Sequence, residues 1–224
     1  MALIEITSLT KTYQETNGVE TQALRGVDLN VNAGEFISIA GPSGSGKTTL
    51  LNIIGALDKP SSGKILFDSR DITETAISAL ADFRLNKIGF VFQAYNLFNT
   101  LSALENVEYV MLLQGQPLAA RKEKAMQLLE RVGLKELSSK RPNKLSGGQQ
   151  QRIAVARALA ANPKVVLADE PTANLDSLTA TNLIDLMKEL NQQLGITFIF
   201  STHDKLVMEK ANRVVYLKDG RIVI

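Results

Sequence analysis

Short, nearly unbroken apolar runs alternate along the chain with longer segments whose apolar residues recur every three or four positions, a pattern that predicts strands and helices in succession. Residues 3–9 place Leu3, Ile4, Ile6 and Leu9 in partial alternation, and 23–31 alternate more regularly, so two strands come first. Between them 14–21 is polar and carries Asn17-Gly18, a turn signal. The run 36–40 reads as a short buried strand and 49–54 as a helix. After a turn at 59–63 come a strand at 64–67, a weak helix at 76–85 and a compact strand at 88–92. Residues 104–113 and 119–132 read as helices separated by Pro117, the second with Ala125, Leu128, Leu129 and Val132 on one face. Then follow a helix at 150–161, a buried strand at 165–168, and a helix from Asp176 with a stripe of Leu183, Met187, Leu190 and Leu194. A strand at 196–200 and a closing hairpin at 214–224 complete the succession. Helices without intervening strands in a strand-rich chain predict a helical subdomain over 94–162, inserted between core segments 1–93 and 163–224.

Between the strand at 36–40 and its following helix stands Gly41-Pro42-Ser43-Gly44-Ser45-Gly46-Lys47-Thr48. A glycine, four free positions, then Gly-Lys and a hydroxyl residue fits the phosphate-binding loop, and the strand, loop, helix context is the one that motif requires. Gly41, Gly44 and Gly46 let the backbone curl so that successive N–H groups point inward, and the helix adds the positive end of its dipole. Lys47 brings a point charge for β- and γ-phosphates, and the Thr48 hydroxyl a coordination place for Mg²⁺.

Three strands end in polar groups: Gln93 after 88–92, Asp169-Glu170 after 165–168, and Ser201-Thr202-His203-Asp204 after 196–200. Parallel sheets bind ligands at that edge, so these groups are expected to converge. Gln93 alone reads equally well as a solvated loop residue. Two adjacent carboxylates are not core, because unpaired burial of charge is costly. A metal at Asp169 relieves that cost and leaves Glu170 to polarise an attacking water. His203 is the only histidine. For Tyr13, spacing favours strand core over a ring that stacks on a purine. Leu145-Ser146-Gly147-Gly148-Gln149 opens the helix at 150–161. Ser146 suits an ordinary N-cap, and two glycines beside a hydroxyl at a helix start suit a second anion site; composition does not choose between them.

Composition narrows the partners. The chain has 224 residues and a net charge of +2 without a dense basic run, so nucleic acid is not an expected partner. With no cysteine, neither disulfides nor thiolate metal sites are available. No secretory leader pattern opens the chain, and no apolar run approaches a membrane span.

The phosphate loop, L-S-G-G-Q, V-V-L-A-D-E-P-T and T-H-D, in this order and across essentially the whole chain, resemble the nucleotide-binding subunit of an ATP-binding cassette transporter. The resemblance implies an α/β fold of the P-loop NTPase type: a RecA-like parallel core sheet, a small antiparallel β subdomain and an inserted α-helical subdomain. It implies ATP and Mg²⁺ as ligands, with Tyr13 stacked on adenine, 41–49 (including Thr49) around the phosphates, and Asp169 supporting Mg²⁺. Gln93 touches Mg²⁺ or the attacking water and senses the membrane partner, Glu170 is the catalytic base and His203 contacts the γ-phosphate. Ser146, Gly148 and Gln149 reach ATP held by the other chain of a head-to-tail homodimer, and Asp176 lies in the loop that crosses the interface. An integral membrane permease is the implied further partner, with the chain peripheral on the cytoplasmic face of the inner membrane. Gly55-Ala56-Leu57-Asp58 and Asn174-Leu175-Asp176 are similar to the group holding the lipoprotein-release and macrolide-exporter ATPases. The chain ends directly after its hairpin signal, so the long regulatory domain of sugar importers is not expected. A DNA-repair relative would need a coiled-coil insertion or zinc cysteines, and a GTPase an Asn-Lys-x-Asp base reader; neither is present. A regulatory, non-transport ATPase such as a cell-division subunit remains as the alternative with the same chemistry.

Overall fold

The computed structural model describes residues 2–14 and 20–223, so the turn expected at Asn17-Gly18 and the last residue of the closing hairpin lie outside it. Two sheets form. Strands β1 (Ala2–Gln14), β2 (Glu20–Asn32), β4 (Ser62–Phe67) and β5 (Arg70–Asp71) make an antiparallel sheet in the order β2-β1-β4-β5. Strands β3 (Phe36–Ala40), β6 (Ile88–Phe92), β7 (Val165–Asp169), β8 (Thr197–Thr202), β9 (Arg213–Lys218) and β10 (Arg221–Val223) make the second, ordered β10-β9-β3-β8-β7-β6. All its pairs are parallel except β10 with β9.

The central strands read as continuous apolar runs because both their faces are buried. Along β8, Ile199 packs with Ile37 and Ile39 of β3 and with Leu50, Leu51, Ile53 and Ile54 of α1 (Lys47–Ile54) in a core beneath the antiparallel sheet. The alternate residues Phe198 and Phe200 join Phe36 in a second core on the opposite face. That second core also takes in α3 (Ala103–Leu113), α4 (Leu118–Arg131), α5 (Gly147–Ala160), α6 (Ser177–Leu194) and α7 (Lys205–Lys210). Residues 94–162 contain α3, α4 and α5 and, among the described residues, no strand.

Two expectations need correction. The weak helix at 76–85 is a 3₁₀ turn, Ser78–Leu80, followed by α2 (Ala81–Lys87). Since α2 buries none of its residues, it has no apolar stripe for spacing to locate. Leu194 is 38% exposed at the last position of α6, just before the left-handed Gly195, so the buried stripe is Leu183, Met187 and Leu190. Strand β5 and helix α7 were not foreseen.

Candidate functional site

Sheet register brings the polar strand ends together. Phe92 of β6 pairs with Asp169 of β7, which pairs with Ser201 of β8, so Gln93, Glu170 and His203 leave one edge of the sheet side by side. The phosphate loop leaves β3 at the same edge. Together they line a cleft of about 460 Å³ with Ser43, Gly44, Gly46, Lys47, Thr48, Thr49, Gln93, Glu170, Ala173, His203 and residues 21–23 on its walls.

The loop is shaped by its glycines. Gly46 takes φ +102° as the N-cap of α1, and no side chain caps the helix, so its first amides stay directed into the loop. A Cβ on Gly41 would stand 2.1 Å from the Leu217 carbonyl oxygen, which fixes glycine there by close approach. The Lys47 ammonium donates to the carbonyls of Gly41 and Pro42 at 2.9 and 3.0 Å, and so lies within the loop's concavity. Ser45 of the loop is buried.

Opposite the loop, the Thr48 hydroxyl donates to both carboxylate oxygens of Asp169, each at 3.2 Å. Glu170 adopts a left-handed φ of 46°, held by its amide's bond to the Ser201 carbonyl at 2.9 Å. Its carboxylate oxygens meet His203 Nδ1 at 2.8 Å and accept from the Thr202 hydroxyl at 3.2 Å. The glutamate side chain is 18% exposed and the histidine 71%, so the pair stands where the cleft opens. Asn174 donates to the Gln93 carbonyl at 3.0 Å and ties that residue to the turn after Glu170.

Tyr13 is not core: it is 37% exposed near the end of β1. Its hydroxyl donates to Asp58 Oδ2 at 2.8 Å and lies 3.5 Å from the Thr49 hydroxyl. Burial raises the phenol's pKa, which keeps it a donor. At Asp58, burial works against ionisation, but hydrogen bonds from Lys11 and Tyr13 outweigh it and hold the carboxyl below its usual range.

Ser146, Gly147, Gly148 and Gln149 do not line the cleft. The Ser146 hydroxyl accepts from the Gln149 amide at 3.3 Å and the Gln149 side chain accepts from the Ser146 amide at 2.9 Å, a closed capping box at the start of α5. Its glycines permit close contact: a Cβ would stand 2.7 Å from the Tyr95 hydroxyl at Gly147 and 2.4 Å from Thr179 Cγ2 at Gly148. Asp176 caps α6, accepting from the Thr179 amide at 3.0 Å and hydroxyl at 2.6 Å, and those bonds lower its pKa. The Arg157 guanidinium, whose pKa burial lowers, donates to the carbonyls of Tyr95 and Asn96, two residues with φ of 60° and 50°. Sequence reasoning missed Lys11, Asp58, Tyr95, Arg157 and Thr179 as supports; only Lys11, two positions before Tyr13 on one strand face, carried a readable signal.

Known proteins resemble this chain over nearly its whole length. The family model described as ABC transporter matches residues 24–173. A lipoprotein-releasing system ATP-binding protein, LolD 1 of Rhodopseudomonas palustris, is 45% identical over 98% of this chain and 98% of its own length. A macrolide export ATP-binding/permease protein, MacB of Syntrophobacter fumaroxidans, is 45% identical over 99% of this chain, which spans 31% of that protein. The solved dimer of the ATP-binding cassette MJ0796 of Methanocaldococcus jannaschii, in a post-hydrolysis state with ADP and Pi, superposes with a TM-score of 0.90 at 44% identity and covers 99% of this chain and 97% of that one. The chain therefore belongs to the ABC transporter family, as an ATP-binding subunit that hydrolyses ATP.

Proposed function

We propose that this chain hydrolyses ATP with Mg²⁺ in the cleft over the parallel sheet, as one of two copies that close on nucleotide and drive an integral membrane permease. The observation that carries the reading is the grouping of Lys47, Thr48, Gln93, Glu170 and His203 around one cleft of about 460 Å³. Tyr13 offers its ring to the adenine, 41–49 enclose the phosphates, and Lys47 exchanges its own loop carbonyls for phosphate oxygens. The oxygens of Thr48 and Asp169, with the Gln93 amide nearby, are hard donors of the kind Mg²⁺ takes beside phosphates. Bound there, Mg²⁺ neutralises charge on the phosphates. Glu170 accepts a proton from the attacking water, and His203 orients Glu170 and reaches the γ-phosphate.

The segment 146–149 stands off this chain's own cleft, which suits contact with ATP held by a second copy, with Asp176 between the two. The dimeric MJ0796 structure supports that partner. In this reading 94–162 moves as a signature subdomain against the rest. Between it and the sheet runs a largely apolar groove of about 560 Å³, lined by residues that include Leu57, Leu85, Phe90, Phe98 and Leu113. Phe98 is 44% and Leu113 58% exposed there, which suits a docking helix of the permease. The names of LolD and MacB support a membrane partner. On the strength of those names we assign the chain a peripheral place on the cytoplasmic face, held by the permease; no helix among the described residues is long and apolar enough to cross a membrane.

Glu170→Gln keeps size and loses the base. Phosphate release should fall by about 10²-fold or more while ATP binding survives and the doubly occupied dimer accumulates. Near-normal phosphate release would remove Glu170 from its role.

A further inference from the structure

The base platform sits at the exposed end of β1, where a free aromatic side chain would sample several rotamers. Two contacts restrict it, one on the ring face and one on the hydroxyl. Lys11 and Tyr13 project from the same face of β1, and the Lys11 ammonium lies 4.8 Å from the centroid of the Tyr13 ring. The same ammonium donates to Asp58 Oδ1 at 2.6 Å and to the Lys59 carbonyl at 2.7 Å. The Tyr13 hydroxyl takes the other oxygen of Asp58 at 2.8 Å. Asp58 is itself anchored to the helix that carries the phosphate loop: after α1 the chain folds back, and the amides of Leu57 and Asp58 both donate to the Asn52 carbonyl at 2.8 and 3.3 Å. The left-handed φ of 55° at Ala56 makes this reversal.

We infer that Asp58 and Lys11 are positioning residues for nucleotide-base recognition, a clamp that fixes the Tyr13 ring relative to α1 so that base and phosphates are bound in one register. Lys11 occupies one face of the ring and leaves the other for stacking; Asp58 holds the hydroxyl end and fixes the tilt. The clamp rests on the proposed role of Tyr13 as the base platform. Its bonds to Asp58 and Lys11 avoid Gly41, Lys47 and Thr48, and its one approach to the phosphate-binding segment is the 3.5 Å separation between the Tyr13 and Thr49 hydroxyls, so its effect is expected on the base far more than on the phosphates.

The test separates base from phosphates. Affinities for ATP and for inorganic tripolyphosphate, both with Mg²⁺, are measured calorimetrically on the full chain. Tyr13→Ala should weaken ATP by about tenfold or more, the size of one lost base stack, and leave tripolyphosphate unchanged. Tyr13→Phe and Asp58→Ala should each weaken ATP about threefold to tenfold, the size of one hydrogen bond, again without effect on tripolyphosphate. The double variant Tyr13→Phe/Asp58→Ala should be no weaker than the poorer single, because both remove the same contact. If Tyr13→Ala lowers ATP affinity and Asp58→Ala does not, the clamp is overturned and the base platform stands. If Tyr13→Ala leaves ATP affinity intact, the platform fails and the clamp with it. Parallel losses of ATP and tripolyphosphate in Asp58→Ala, or additive singles, would make Asp58 a scaffold residue of α1 and overturn the inference. Should Asp58→Ala fail to fold, Tyr13→Phe decides, since it removes only an exposed hydroxyl: unchanged ATP affinity overturns the clamp.

Discussion

The starts of α1 and α5 use nearly the same residue types, glycines and hydroxyls ahead of a helix, and the fold turns them to opposite ends. At α1 no side chain takes the first amides, the loop curls around Lys47, and the glycines face backbone: Gly46 packs on the Ala23 carbonyl and Gly41 on that of Leu217. The result is a concave site made by one chain. At α5 the capping box of Ser146 and Gln149 satisfies the helix start, and the glycines press against side chains, Tyr95 and Thr179. That start lies outside the cleft and encloses no site of its own chain. A helix N-terminus attracts anions in either case, but only the loop before it decides whether the site is complete or needs a second body.

The largest effect expected from this contrast is nearly all-or-none. If α1 supplies one half of each site and α5 of the other copy the second half, Lys47→Ala and Ser146→Arg should each abolish ATP-dependent dimers. Removal of either set of phosphate donors should also lower hydrolysis by about 10²-fold or more. Mixing the two variants puts both defects into one site of the heterodimer and leaves its other site intact. Heterodimers should then appear with ATP on a sizing column. Pairing no better in the mixture than in either variant alone would mean that α1 and α5 of one chain serve the same site, and the contrast would lose its meaning.

A smaller effect separates the two kinds of glycine. Gly148→Ala drives a methyl group against Thr179 Cγ2, and Thr179 cannot yield easily because Asp176 holds its hydroxyl and its amide. Overpacking of this kind costs about 2 kcal/mol, read as a shift of the urea midpoint, and Thr179→Ser should recover most of it by removing the obstructing methyl while keeping the hydroxyl. Gly44→Ala meets nothing within 4 Å but must hold φ near +77°, so it should cost about 1 kcal/mol with no rescue from any neighbour. Equal behaviour of the two would contradict the distinction between packing glycines and conformational glycines.

The same contrast explains what the sequence could reveal. Strands β3, β6 and β7 were legible almost to the residue because extensive burial makes them nearly continuous apolar runs, with Ser38 the one polar residue before their carboxyl ends. The polar ends of β7 and β8 were legible as a site because parallel register must align them. Strands β1 and β2 run further than their alternation suggested: an extra residue between Ile6 and Leu9 of β1, and extra residues of β2 opposite the steps from Leu9 to Thr10 and from Lys11 to Thr12, break the period of two, and the far ends are exposed. Ser146 could be read as a cap or as an anion donor because both use the same hydroxyl, and the cap is the contact present in this chain. Tyr95, Arg157 and Asp58 left no local signature, and neither did the contact of Thr179 with Gly148; each acts across a distance in sequence that only the folded chain closes.

The smallest expected effect is at Ser146, and it separates capping from phosphate contact at a single atom. Ser146→Ala removes the hydroxyl that accepts from the Gln149 amide, so the isolated chain should lose about 1 kcal/mol of stability. Ser146→Asp keeps an acceptor at the same place, and aspartate is as good a cap as serine, with a charge the helix dipole favours. Its stability should therefore stay within about 0.5 kcal/mol of the parent in a urea titration. Toward a triphosphate the two substitutions reverse their order: alanine removes one donor and leaves the amides of Gly147 and Gly148 in place, whereas aspartate sets a negative charge against the phosphates. The stable variant should be the one that fails to dimerise with ATP, and the less stable one should retain part of its pairing. If Ser146→Asp dimerised with ATP as well as the parent, the start of α5 would face no phosphate, and its hydroxyl would be a cap and nothing more.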